Sequence, residues 1–201
     1  MSHTNHDFSP LKKAVFIVAV LNFLYFFIEF SVAFNISSLS LMADSIDFLE
    51  DAFVNGLIVL ALGWTLARQA RVGMILAAIM LIPSAYALYF AFDKILHPAL
   101  PASITLTMTG AAALIINLFC AYIIARSKNT QSSLGLAAFL SARNDAIANI
   151  AIIGAGFATA ATLSQWPDFI VGIGIFLMNL DAAFAVYKAS REESYLSKEV
   201  I

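Results

Sequence analysis

Along the chain, six runs of about 20 or more mostly apolar residues alternate with short polar breaks. They cover Ala14 to Phe34, Ser38 to Ala67, Val72 to Phe92, Ala102 to Ala125, Leu134 to Leu163 and Phe169 to Tyr187. A helix needs about 20 apolar residues to cross a hydrocarbon core of roughly 30 Å. Strands that cross membranes are about 10 residues long and alternate in polarity, which these runs do not. The pattern therefore predicts an all-α integral membrane protein with six transmembrane helices. The first run outlasts the apolar core of a cleaved leader and contains Asn22 and Glu29, so it reads as a span. Pro83, inside the third run, predicts a kink there.

Composition agrees with the pattern. Hydrophobic residues make up 61% of the chain and charged ones 12%, with a mean hydropathy of +0.87. A soluble globule is about half apolar and about a quarter charged. The few basic residues also orient the spans. If the runs alternate in direction, Lys12, Lys13, Arg68, Arg71, Arg126, Lys128, Lys188, Arg191 and Lys198 share one side, and Lys94 alone marks the other. Both termini are then expected in the cytoplasm, with a tail at 1–13, a membrane domain at 14–187 and a short tail at 188–201. The expected location is a cell's inner (plasma) membrane. A net charge of -2 with no basic block leaves no electrostatic footprint for a nucleic acid. The single cysteine, Cys120, cannot form an intrachain disulfide and reads as packing.

Charges inside the spans change the picture from scaffold to chemistry. The second run holds Asp44, Asp47, Glu50 and Asp51 within eight residues, followed by Asn55. Each carboxyl costs about 2.5–3.5 kcal/mol at mid-membrane on insertion scales, so such a cluster marks a pathway or a site. At 100° per residue Asp44, Asp47, Asp51 and Asn55 fall within an arc of about 80°, with Glu50 off its edge. The fifth run repeats the theme: Asp145 and Asn149 have the four-residue spacing of Asp47 and Asp51. Each pair lies one helical turn apart on a shared face.

Depth lets the pairs meet. The second and fifth spans run antiparallel; Asp47 and Asp51 lie roughly 14–20 Å below the outer end of one, and Asp145 and Asn149 roughly 16–22 Å above the inner end of the other. In the first span Asn22, Tyr25 and Glu29 share a face as well. Six internal acids against one internal base, Arg143, demand a cation. Protons can supply it, and so can a divalent ion that displaces them, which is the competition a metal/proton exchanger requires. The candidate metal ligands are Asp47, Asp51, Asp145 and Asn149; Asp44, Glu29, Asn22 and Arg143 are candidate supporting or proton-pathway residues.

Other features carry blander expectations. Glu29, Glu50 and Asp181 read individually as hydrogen-bond partners within the bundle. Arg143 points about 160° from Asp145, so it is expected to pair with another acid or to snorkel. His3 and His6 read as incidental tail residues, and His97 as a loop residue. Two competing functions share the acidic face: a proton-coupled carrier of a small organic cation, walled by Tyr25, Phe48 and Phe53, and a membrane assembly protein whose acids pair with a partner's basic helices. A hydrolase is disfavoured, since no span contains a histidine.

These residues resemble the cation diffusion facilitator family, also called cation efflux proteins. The resemblance rests on Asn22 to Glu29, on Ser38-Leu-Ser-Leu-Met-Ala-Asp44-Ser-Ile-Asp47-Phe-Leu-Glu50-Asp51, on Ser141-Ala-Arg-Asn-Asp145-Ala-Ile-Ala-Asn149 and on Trp166-Pro-Asp168-Phe-Ile-Val-Gly. It implies a binding motif on Asp47, Asp51, Asp145 and Asn149, and export of zinc, or of cobalt, cadmium, iron, manganese or nickel, in exchange for protons by a homodimer in the lipid bilayer. Two departures stand out. Zinc-selective members commonly place histidine in these pairs, whereas all four positions here offer oxygen, which suits harder cations such as manganese. Relatives also carry a cytoplasmic ferredoxin-type domain, for which 188–201 is too short.

Overall fold

The computed structural model describes the backbone of residues 8–61, 64, 66–126 and 133–199. Side chains are described for these except 8–11, 61, 66–67, 69–70, 73, 76–81, 83, 133–143, 181–183, 185–187 and 189–199. It holds six helices: α1 (Phe8–Ile36), α2 (Leu39–Ala61), α3 (Leu66–Leu96), α4 (Ser103–Arg126), α5 (Ser133–Thr162) and α6 (Trp166–Glu199). No strand occurs among the described residues, and the chain is an all-α membrane protein. Three stretches, Lys12–Ile36, Ser103–Arg126 and Asn144–Thr162, are long and apolar enough by themselves to cross a bilayer.

The helices follow the apolar runs with informative differences. The sequence carries the second span to Ala67, whereas α2 closes at Ala61 and residues 66 and 67 open α3. A run of that length exceeds the roughly 20 residues the core requires, and the bend at Trp64 takes up the surplus. Beyond Tyr187 the polar tail continues as helix to Glu199. Without glycine or proline to stop it, a Lys-, Glu- and Ser-rich stretch propagates the ladder already begun in the membrane.

α2 is the hub: it touches each of the other five helices. α1 packs along α2 and also meets α4, α4 pairs with α5, and α3 and α6 form a second pair laid against α2. Polar side chains sit within the bundle beside an apolar core, and its outer surface is apolar. Asn22, Glu29, Asp44, Glu50, Asn149 and Asn179 are buried, while Phe16, Phe27, Ile104, Met108 and Ile115 are exposed. A hydrocarbon solvent favours this arrangement, because lipid tails satisfy apolar surface and leave polar groups to find partners inside.

A buried polar clasp ties the ends of α2, α3 and α6. Lys94 is expected in an outer loop, but it lies in the last turn of α3 with 3% of its surface exposed. Its Nζ pairs with Asp168 at 2.5 Å and donates to the Ser37 carbonyl at 2.6 Å. Asp168, in the first turn of α6, also accepts from the Ser38 and Ser40 hydroxyls at 2.6 Å each and from the backbone N–H groups of Leu39 and Ser40. The Leu41 N–H finds the Ser38 hydroxyl, so every orphan donor at the start of α2 is satisfied. Ser37 takes a left-handed φ of 54°, and Ser38 N–H bonds back to the Ala33 carbonyl, closing α1 in a Schellman turn.

Close approach of α6 to this clasp depends on Gly172. A Cβ there would lie 2.6 Å from Leu39 Cγ, 2.7 Å from the Leu39 carbonyl carbon and 2.8 Å from the Ser40 nitrogen. Backbone atoms cannot step aside as a side-chain tip can. Gly172→Ala is therefore expected to cost about 1–3 kcal/mol, read as a lower midpoint of thermal unfolding in detergent. Gly174→Ala, whose added carbon meets nothing within 4 Å, is the matched control.

Candidate metal and proton site

The acidic face of α2 turns into the bundle, and the structure pairs its carboxyl groups off one by one. The Asp47 carboxyl comes within hydrogen-bonding reach of Asp145 on α5. Thus one member of each four-residue pair meets the other across two antiparallel helices. Asp51 accepts a hydrogen bond from Asn22 Nδ2 on α1 at 3.2 Å, and Asn22 Oδ1 accepts from the Cys120 thiol on α4 at 3.5 Å. Asn55 Nδ2 donates to the Asp51 carbonyl at 2.8 Å.

Asn149 is fully buried and oriented by its own helix. Its Nδ2 donates to the Asp145 carbonyl at 2.8 Å, which leaves Oδ1 without a donor. A buried acceptor with no partner costs about 1–3 kcal/mol, and an amide oxygen of this kind suits a cation. The sequence-predicted ligands therefore gather as an Asp47–Asp145 contact, an Asp51–Asn22 pair and an open Asn149 oxygen. Among the described residues no group of three or more His, Cys, Asp or Glu side chains is drawn together as a metal cage.

Toward the start of α2 lies a further pair. Glu29 on α1 and Asp44 on α2 face one another, both fully buried. Among the described residues, none of their four carboxyl oxygens meets a separate hydrogen-bond donor. The sequence reads Glu29 as a hydrogen-bond partner within the bundle, and the group it meets is a second carboxyl, that of Asp44. Two carboxyl groups so placed need a shared proton or another cation between them. Glu50, off the acidic arc, is also buried, with Oε1 lacking a donor.

Aromatic packing closes the region beside these acids. The Tyr25 and Phe48 rings pack at a tilt of 53° with centroids 4.8 Å apart, and the Tyr25 hydroxyl donates to the Thr109 carbonyl at 2.9 Å. Asn22, Tyr25 and Glu29 do share the inward face of α1, as their spacing predicts. The side chains of Arg143 and Asp181 lie outside those described, as do His3 and His6. His97 is exposed beyond the end of α3, 3.0 Å from Asp93. Sequence reasoning missed the Lys94–Asp168 clasp, for which the available signal was an acid directly after Pro167 at the start of a helix.

Comparison with known proteins supplies a context for this geometry. The model of the cation efflux transmembrane domain matches residues 15–193. A cadmium, cobalt and zinc/H(+)-K(+) antiporter of Bacillus subtilis (strain 168) is 24% identical in an alignment 205 residues long that covers 94% of this chain. The chain spans 65% of that relative's length.

Proposed function

The chain belongs to the cation efflux family, and on that footing we propose that it exports a divalent metal cation in exchange for protons by alternating access. Asp47, Asp51 and Asp145 give up protons and bind the ion together with the Asn149 amide oxygen. The carrying observation is the meeting of Asp47 and Asp145 across α2 and α5, together with a buried Asn149 amide oxygen that has no hydrogen-bond donor among the described residues. Three carboxylates supply -3 against +2, so one retains a proton or is balanced by a neighbour. Glu29 and Asp44 serve as the proton station, Asn22 holds Asp51 between turnovers, and Arg143 balances charge on α5.

Zinc leads the candidate ions through the family, and the name of the Bacillus relative adds cadmium and cobalt. An all-oxygen ligand set favours harder ions such as manganese, and iron completes the panel. The packing of Tyr25 against Phe48 supports a small inorganic ion over an organic cation, which would need those rings as walls. The working form is a homodimer in the inner (plasma) membrane with both termini cytoplasmic.

The test is uptake into proteoliposomes under an imposed pH gradient, with zinc, manganese, cobalt, cadmium and iron offered separately. Saturable uptake of at least one ion that collapses when the gradient is dissipated is expected. Folded protein that moves none of the five ions would sink the reading.

A further inference from the structure

One concave surface takes no part in the transport scheme. Between α1 and the C-terminal half of α2 runs an apolar groove of about 300 Å³, open to the lipid side. Small residues, Ala19, Ala52 and Gly56, form its floor, and Phe16, Phe23 and Leu60 are among its walls. Gly56 opens the groove rather than seating a neighbouring helix, since a Cβ added there meets nothing within 4 Å.

Charge stands at one end of it. Lys12 and Lys13 are exposed, about one turn before Phe16. At 100° per residue they fall about 40° to one side of Phe16 and about 60° to the other. They therefore bracket the groove-facing line of Phe16, Val20 and Phe23 and put two exposed lysines about one turn beyond the Phe16 end of the groove.

We propose that this groove is a binding site for an anionic phospholipid, one acyl chain lying along α1 and α2 and the phosphate held by Lys12 and Lys13. A helix from a second copy fits less well. A two-fold contact at this face would set each copy's lysines near their own symmetry mates. Two basic groups at a membrane surface give a preference for anionic over zwitterionic lipid of roughly 30-fold.

The experiment uses the full chain, delipidated in detergent and then offered equal amounts of phosphatidylglycerol and phosphatidylcholine. Retained lipid is counted by native mass spectrometry. Wild type is expected to keep one phosphatidylglycerol with the roughly 30-fold preference. Lys12→Gln with Lys13→Gln should erase the preference while still admitting a chain. Gly56→Leu should fill the floor and lower retention of both lipids, with the lipid-free melting temperature unchanged. An undiminished preference in the double lysine variant would overturn the proposal. Unchanged lipid retention in a folded Gly56→Leu protein would do the same, as would conversion of that variant from dimer to monomer, which would make a second copy the occupant.

Discussion

Asp47→Ala and Asp145→Ala, each reconstituted into proteoliposomes, are expected to lose metal uptake by at least about 100-fold. Removing even an outer partner of a metal ligand commonly costs 10–100-fold, and these two residues are assigned as ligands themselves. Each substitution also removes half of the one carboxyl contact that joins α2 to α5 at the site. The loss should be functional rather than structural. Taking one acid from a buried acid pair relieves like-charge crowding, so detergent melting temperatures should hold or rise. Asn149→Ala is expected to fall between these variants and wild type, since it deletes a neutral oxygen and no charge. Full uptake by both aspartate variants would remove the pair from the mechanism.

The second large effect concerns folding. Asp168→Ala should destabilise the protein by about 3–5 kcal/mol, the cost of stranding a buried charge once its partner is gone. The stranded group is Lys94, 3% exposed, and the N–H groups of Leu39 and Ser40 lose their acceptor in the same step. Lys94→Met alone leaves Asp168 with two hydroxyl and two backbone donors, so it should cost less. Adding Lys94→Met to Asp168→Ala should recover part of the loss, because the uncompensated ammonium disappears while the orphaned N–H groups remain. Thermal unfolding of the three variants in one detergent checks the order. Melting temperatures equal to that of wild type in all three would mean that the clasp contributes nothing.

The six helices were legible because lipid as a solvent imposes a length and a composition that few other constraints disturb. The ends were less so. Ala67 and the residues after Tyr187 are set by where the ladder can turn or keep going, and hydropathy does not record that. The acidic face was legible by angle alone, and Asp47 does meet Asp145. Pairing at the level of atoms was not. Spacing could not tell that Asp51 would turn to Asn22, or that Glu29 and Asp44 would face each other without a donor. Lys94 was misread for a general reason. A lysine near the end of an apolar run looks like a loop marker under a charge-counting rule, and only the fold brings Asp168 beside it from 74 positions away.

That separation also orders how the protein can be made. Lys94 enters the membrane on the third helix, while Asp168 is still unsynthesised. Until then its ammonium must reach along its flexible stem to the watery headgroup layer, and the first N–H groups of α2 must likewise borrow water. Only threading of the sixth helix delivers the carboxylate that lets all of them withdraw from solvent together. The clasp therefore cannot close before α6 is in place, and a chain lacking α6 would carry a lysine and a helix start that its finished form hides.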